Sequence, residues 1–314
     1  MRNWRIELLR GLAAFGIVGC HLSLSPRTEL GYGVGSFCDM NVGLFAAFSG
    51  FLMSAKGGWL DYVRRRIRRL VPIYAVWTVF FILFGFIFDC FVRHGLNPKW
   101  CQEDYIWRVV LLGNAATHLW FLACLLYAQV ISSALFRTLK DFPRWVWLVA
   151  GFVVVTISSA SGDFFHRYFL RLFGFLLTGY GLDALVGFRR RFPLWVLLMT
   201  VAGTALLHGL GSGLLSGFVL DWILVVPLLL LCVGRVDDGN AWYVAVSQWL
   251  GETSFGVFLI HPAVTVAIGL LVRRLTPAPY GANWVLADWL ASWGLTFALV
   301  ILMRRQAKLK GLIS

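Results

Sequence analysis

The chain has 314 residues, 59% of them hydrophobic and 14% charged, with 15 Trp and a mean hydropathy of +0.76. That composition excludes a soluble globular domain and fits a polytopic helical membrane protein. The net charge of +13 lies in short basic clusters between apolar runs, which suits topology signals and anionic lipid; no nucleic-acid motif is present. The six Cys form no CxxC pair, so neither a metal site nor a redox motif is indicated. Cys90 and Cys101, near one loop, could be bridged or free.

Ten apolar runs read as spans near 5–23, 37–54, 71–92, 118–137, 144–160, 166–186, 192–210, 214–234, 247–272 and 283–303. The expected fold is therefore all-α, a single domain over 1–314 built as a bundle of about ten transmembrane helices. The first run is not read as a signal peptide, because Glu7 and Arg10 interrupt its apolar stretch. Basic residues test the orientation. Arg64, Arg65, Arg66, Arg68 and Arg69, then Arg137, Lys140 and Arg144, then Arg189 to Arg191, then Arg304, Arg305, Lys308 and Lys310 all fall on one side. The opposite loops carry fewer, so both termini are expected in the cytoplasm.

The first span is the most informative. Arg10 and His21 are eleven residues apart, about 1100° of helical rotation, so they share a face and lie roughly 16 Å apart along the axis. Glu7, one turn before Arg10, is a natural ion partner. Ionisable groups within a span cost roughly 2.5 to 3.5 kcal/mol each, so they usually have a function. The bland alternative is a snorkelling arginine and an interfacial histidine that anchor the helix. An imidazole here suits removal of a proton from a hydroxyl.

In the second span the small residues Gly43, Ala46, Ala47, Ser49 and Gly50 suit close helix packing, and Asn41 near its outer end is a candidate polar contact for a substrate. Next comes RRRIRRLVPIY, Arg64 to Tyr74. Arg66 and Arg69, at i and i+3, share a face at the mouth of span three. With Arg65 they suit bidentate binding of a phosphorylated ligand, phospholipid headgroups being the rival. Pro72 is expected in the first turn of the helix that follows. His118 and Trp120 open span four as an aromatic belt or a face that stacks a sugar ring. In the run Ser254 to Pro262, His261 deep in a span needs a polar partner, and Pro262 frees a backbone carbonyl nearby.

These residues resemble acyltransferase family 3, a family of integral membrane O-acyltransferases acting on cell-surface glycans. Arg10-x10-His21, preceded by Glu7 and followed by Gly11, is similar to its first-helix motif. Val42 to Leu52 resembles its second-helix motif, and Arg66-x-x-Arg69-Leu-x-Pro72 its arginine-proline motif. His118-Leu-Trp120-Phe-Leu122 and Ser254 to His261 match its fourth-helix and late-helix patterns. The five occur in order over residues 5 to 303. Many relatives carry an acidic residue shortly after the fourth-helix tryptophan; here Ala123 and Cys124 stand there instead.

The resemblance implies an enzyme of the bacterial cytoplasmic (inner) membrane. It would move an acyl group, most simply acetyl, from cytoplasmic acyl-CoA to a hydroxyl of an extracytoplasmic or lipid-linked glycan. No metal and no nucleic acid would be involved. His21 would be the base or transient acyl carrier, with Arg10 and Glu7 beside it. Arg66, Arg69 and Arg65 would hold the CoA, while His118, Trp120, Ser254, His261 and Asn41 would face the substrate. The absence of a fused esterase-like domain implies direct transfer to the acceptor. A competing reading is a transporter or lipid flippase with Arg10 and His21 lining its pathway, although no pair of matching broken helices marks an inverted repeat.

Overall fold

The computed structural model describes all residues except 1–2, 23–28, 54–57, 92–101, 114–117, 163, 183, 186–197, 204–216, 233–241, 276–281, 307–308, 310 and 314. Among the described residues the chain is helical, without strands. The helices are α1 (Trp4–Cys20), α2 (Glu29–Phe51), α3 (Trp59–Phe91), α4 (Tyr105–Leu112) and α5 (Trp120–Thr138). After them come α6 (Arg144–Ala160), α7 (Phe164–Gly181), α8 (Gly217–Cys232), α9 (Trp242–Leu275) and α10 (Ala282–Arg305). Trp59–Phe91, Trp120–Thr138, Trp242–Val272 and Trp284–Arg305 are long and apolar enough to cross a bilayer, and Met40–Phe51, Arg144–Ala160 and Val219–Cys232 are shorter apolar helices. Of the expected span at 192–210, only 198–203 is described, as helix.

The bundle is organised around α1 and α7. α1 packs chiefly on α9 and α2, and α7 on α6, α2 and α5. Asn3 caps α1, its side chain accepting from the Arg5 amide at 3.0 Å and donating to the Cys232 carbonyl at 2.8 Å. One side-chain amide thereby starts α1 and ties it to the end of α8. The small residues of α2 lie where packing needs them. Ala46 and Ala47 are fully buried, and a Cβ at Gly50 would strike the Leu176 carbonyl of α7. Backbone approaches backbone at that crossing, as small-residue interfaces in membranes allow.

Two expectations change. α3 begins at Trp59, not at 71, so Arg64 to Arg69 are helical and Pro72 sits inside the helix. Pro72 removes one intrahelical bond, but it lies on an exposed face beside the arginines, where that carbonyl is not stranded in apolar surroundings. The second change is α4, read from sequence as loop. It descends beside α3 and α5, and its end is satisfied by side chains. The Tyr74 hydroxyl lies 2.6 Å from the Val109 carbonyl and 3.1 Å from that of Val110, and the Tyr127 hydroxyl 2.9 Å from that of Leu111. The Val109 carbonyl also accepts from the Gly113 amide at 3.2 Å, whereas those of Val110 and Leu111 are last-turn carbonyls that in an apolar medium must be met from elsewhere. Gly113, at φ 73°, closes the helix in the left-handed conformation. Cys90 carries a free thiol; Cys101 lies outside the described residues.

Candidate functional site

α1 carries the expected charges. Arg10 donates to the Glu7 carboxylate at 3.0 Å. Glu7 is buried, while the Arg10 side chain keeps 28% of its exposure. Gly251 makes room for Glu7, since a Cβ there would collide with the carboxylate and with the α1 backbone. Gly11 does the same for α9, an added Cβ lying 2.6 Å from that of Leu250. The carboxylate is thus held between two helices that only glycine lets approach so closely.

At the opposite end of α1 three histidines meet. His21 ends the helix as its C-cap, and its ring centroid lies 5.2 Å from that of His261 on α9. His118, buried just ahead of α5, lies 5.5 Å from His261. Phe81 at 4.8 Å and Phe258 at 5.5 Å wall the His118 ring.

The chemistry of His261 is fixed by its helix. Pro262 lacks an amide hydrogen, so the Phe258 carbonyl four residues before it has no helical donor. His261 Nδ1 takes that place, 2.8 Å from the Phe258 carbonyl and 3.1 Å from that of Val257. Carbonyls only accept, so Nδ1 carries the proton and Nε2 presents its lone pair. Among the described residues, Nε2 is buried without a hydrogen-bond partner. The His118 ring nitrogens, also buried, lie beside the Leu259 backbone and close no hydrogen bond of good geometry among the described residues. Together they form a buried pair of imidazoles against the half-buried His21. Among the described residues no group of His, Cys, Asp or Glu is arranged to hold a metal ion.

At the basic end, α3 packs on α5, and Arg10 of α1 comes within electrostatic range of α3. The Arg66 guanidinium sits 5.0 Å from the centre of the Tyr62 ring, and Arg137 from α5 sits 5.6 Å from the same ring. Arg69 lies within electrostatic range of Arg66 and Arg10. Four guanidiniums from three helices therefore share one region, with Glu7 bonded to Arg10. Such a cluster suits phosphate. Arg65, the third expected phosphate ligand, is exposed on α3. Arg137 was expected only as a topology signal; its place beside Tyr62 depends on the α3–α5 contact.

The other candidates lie deeper in the packing. Asn41 is buried against Gly16 of α1, where a Cβ would overlap its amide. Trp120 is buried with its ring 4.6 Å from that of Tyr168 on α7. Ser254 is buried and donates to the Gly251 carbonyl at 2.7 Å. A pair not expected is Arg171 of α7 with Asp221 of α8, fully buried and joined by a direct hydrogen bond. The sequence did hold a signal for it, since both interrupt predicted spans, as Glu7 and Arg10 do.

A family model described as an acyltransferase domain matches residues 3–304. No curated protein and no solved structure matches the chain.

Proposed function

Since the chain belongs to acyltransferase family 3, matched over residues 3–304, and is therefore a membrane acyltransferase, we propose that it acylates a hydroxyl of an extracytoplasmic or lipid-linked glycan from cytoplasmic acyl-CoA. The basic end then faces the cytoplasm of a bacterial inner membrane, with both termini, in keeping with the positive-inside rule. The observation that carries the reading is the joining, through α1, of a guanidinium cluster to a cluster of imidazoles.

Arg66 and Arg69, supported by Arg137 and Arg10, hold the phosphates of the donor. From Arg69 to Phe81, which touches His118, α3 rises about 18 Å, and the donor's flexible arm spans that height. Its thioester carbonyl comes to the histidines. His21, half-buried where acceptor can reach it, or His261 through its Nε2 lone pair, takes the proton of the acceptor hydroxyl. The hydroxyl oxygen attacks the thioester carbon, the C–S bond breaks, and the CoA thiolate leaves and takes up that proton. Glu7 balances and orients Arg10. Acetyl is the simplest group this scheme carries.

The test is binding of acetyl-CoA to the purified protein in nanodiscs, wild type against Arg66→Ala/Arg69→Ala. Micromolar binding lost in the double variant is the expected result. A folded wild-type sample that binds no acyl-CoA overturns the donor assignment.

A further inference from the structure

A cavity of about 470 Å³ lies between α3, α4 and α5, well within the roughly 300 to 1,000 Å³ of small-ligand sites. Its lining is mostly hydrocarbon, with Leu70 and Ala75 toward the basic end, Val79 and Ile82 further along α3, and Leu122 and Ala123 opposite on α5; Thr78 and Tyr105 add hydroxyl-bearing side chains midway. From Leu70 to Ile82, α3 rises about 18 Å. Tyr74 and Tyr127 also border it, but their hydroxyls are engaged by carbonyls of α4, so the phenols face the slot with carbon.

The position of the two ends matters more than the volume. Leu70 directly follows Arg69. Ile82 directly follows Phe81, whose ring packs on His118, and Leu122 stands one turn beyond His118. Along α3 the slot thus runs from the level of Arg69 to the level of Phe81 and His118, although no arginine or histidine is among its lining residues. Val79, Ile106 and Val110 on its rim are exposed, which opens it sideways and lets a chain enter without passing water.

We infer that this slot takes the hydrocarbon chain of an acyl donor longer than acetyl, an assignment that rests on the donor reading above. The chain enters beside His118, where the thioester is placed, and runs back along α3 toward Leu70. A lipid tail of the acceptor is the competing occupant. The donor is favoured because one end of the slot lies at the level of Phe81 and His118, where the thioester is placed, so an acyl chain attached there enters the slot directly.

The experiment compares acetyl-CoA and octanoyl-CoA binding to the full chain in nanodiscs, with protein-free nanodiscs subtracted, for wild type, Ala75→Phe and Val79→Trp. Octanoyl-CoA is expected to bind at least about tenfold tighter than acetyl-CoA, because each buried methylene adds a few-fold. Either substitution should erase that advantage and leave acetyl-CoA binding within about twofold, which also reports an intact fold; two sites are filled so that one misfolded variant does not decide the matter. An octanoyl advantage that is absent, or that survives both substitutions, overturns the inference. So does a pattern in which both donors bind as before while the KM for the lipid-linked acceptor rises. Failure of both donors to bind wild type brings down the donor reading itself, a separate outcome.

Discussion

Substituting Arg171 or Asp221 isolates one buried ion pair between α7 and α8. The side chains retain 0% and 3% of their exposure, so neither can turn to water when its partner is lost. Breaking a buried pair from one side costs about 3–5 kcal/mol, and a lone charge in a span about 2.5–3.5 kcal/mol. Arg171→Leu should therefore destabilise by roughly 3 kcal/mol or more. Asp221→Leu should be worse, because a stranded carboxyl can accept a proton and become neutral, whereas a guanidinium cannot lose one. The double variant Arg171→Leu/Asp221→Leu removes both charges and should recover most of the loss, to within about 1–2 kcal/mol of wild type, since apolar replacement of a whole buried pair is often neutral. Thermal unfolding of the four proteins in one detergent, followed by the fraction that stays monodisperse, closes the double-mutant cycle. A double variant as unstable as the worse single one would falsify the pairing as the source of the effect.

Pro262→Ala restores an amide donor for the Phe258 carbonyl and loosens the hold on His261 Nδ1. Transfer should slow, and the 15N spectrum of the ring should lose its single tautomer; an unchanged spectrum counts against the proline's role. Tyr74→Phe and Tyr127→Phe strand carbonyls of α4, and each should cost about 1–3 kcal/mol, with α4 amides exchanging hydrogen faster than those of α9. Uniform exchange across the bundle would contradict the picture of α4 as a helix held by two phenols. His21→Ala should lower acyl transfer by at least about 10²-fold while acetyl-CoA binding is kept; retained turnover removes His21 from the chemistry.

Much of the core was legible because it is written along single helices. The Glu7–Arg10 pair and the side shared with His21 follow from spacing within α1. The carbonyl freed by Pro262 follows from proline chemistry, and the structure shows His261 Nδ1 taking it. The small residues of α2 announced a close crossing, although not that α7 would be the partner. What stayed hidden depends on distant segments. The meeting of His21, His118 and His261 joins three parts of the chain, and local periodicity carries nothing about their convergence. α4 escaped because YIWRVVLL is too short to span a membrane and carbonyls at its C-terminal end are met by tyrosines from other helices. Arg171 and Asp221 were visible as charges within spans but not as partners, being fifty residues apart.

The pinned ring of His261 also limits where a proton can go. Two main-chain carbonyls hold Nδ1, and neither can carry a proton onward. A proton that arrives at Nε2 has to leave from Nε2. The histidine cluster at the end of α1 is therefore a cul-de-sac on the α9 side. A proton that Nε2 accepts returns by the way it came, and this ring offers no path for protons from one side of the bundle to the other.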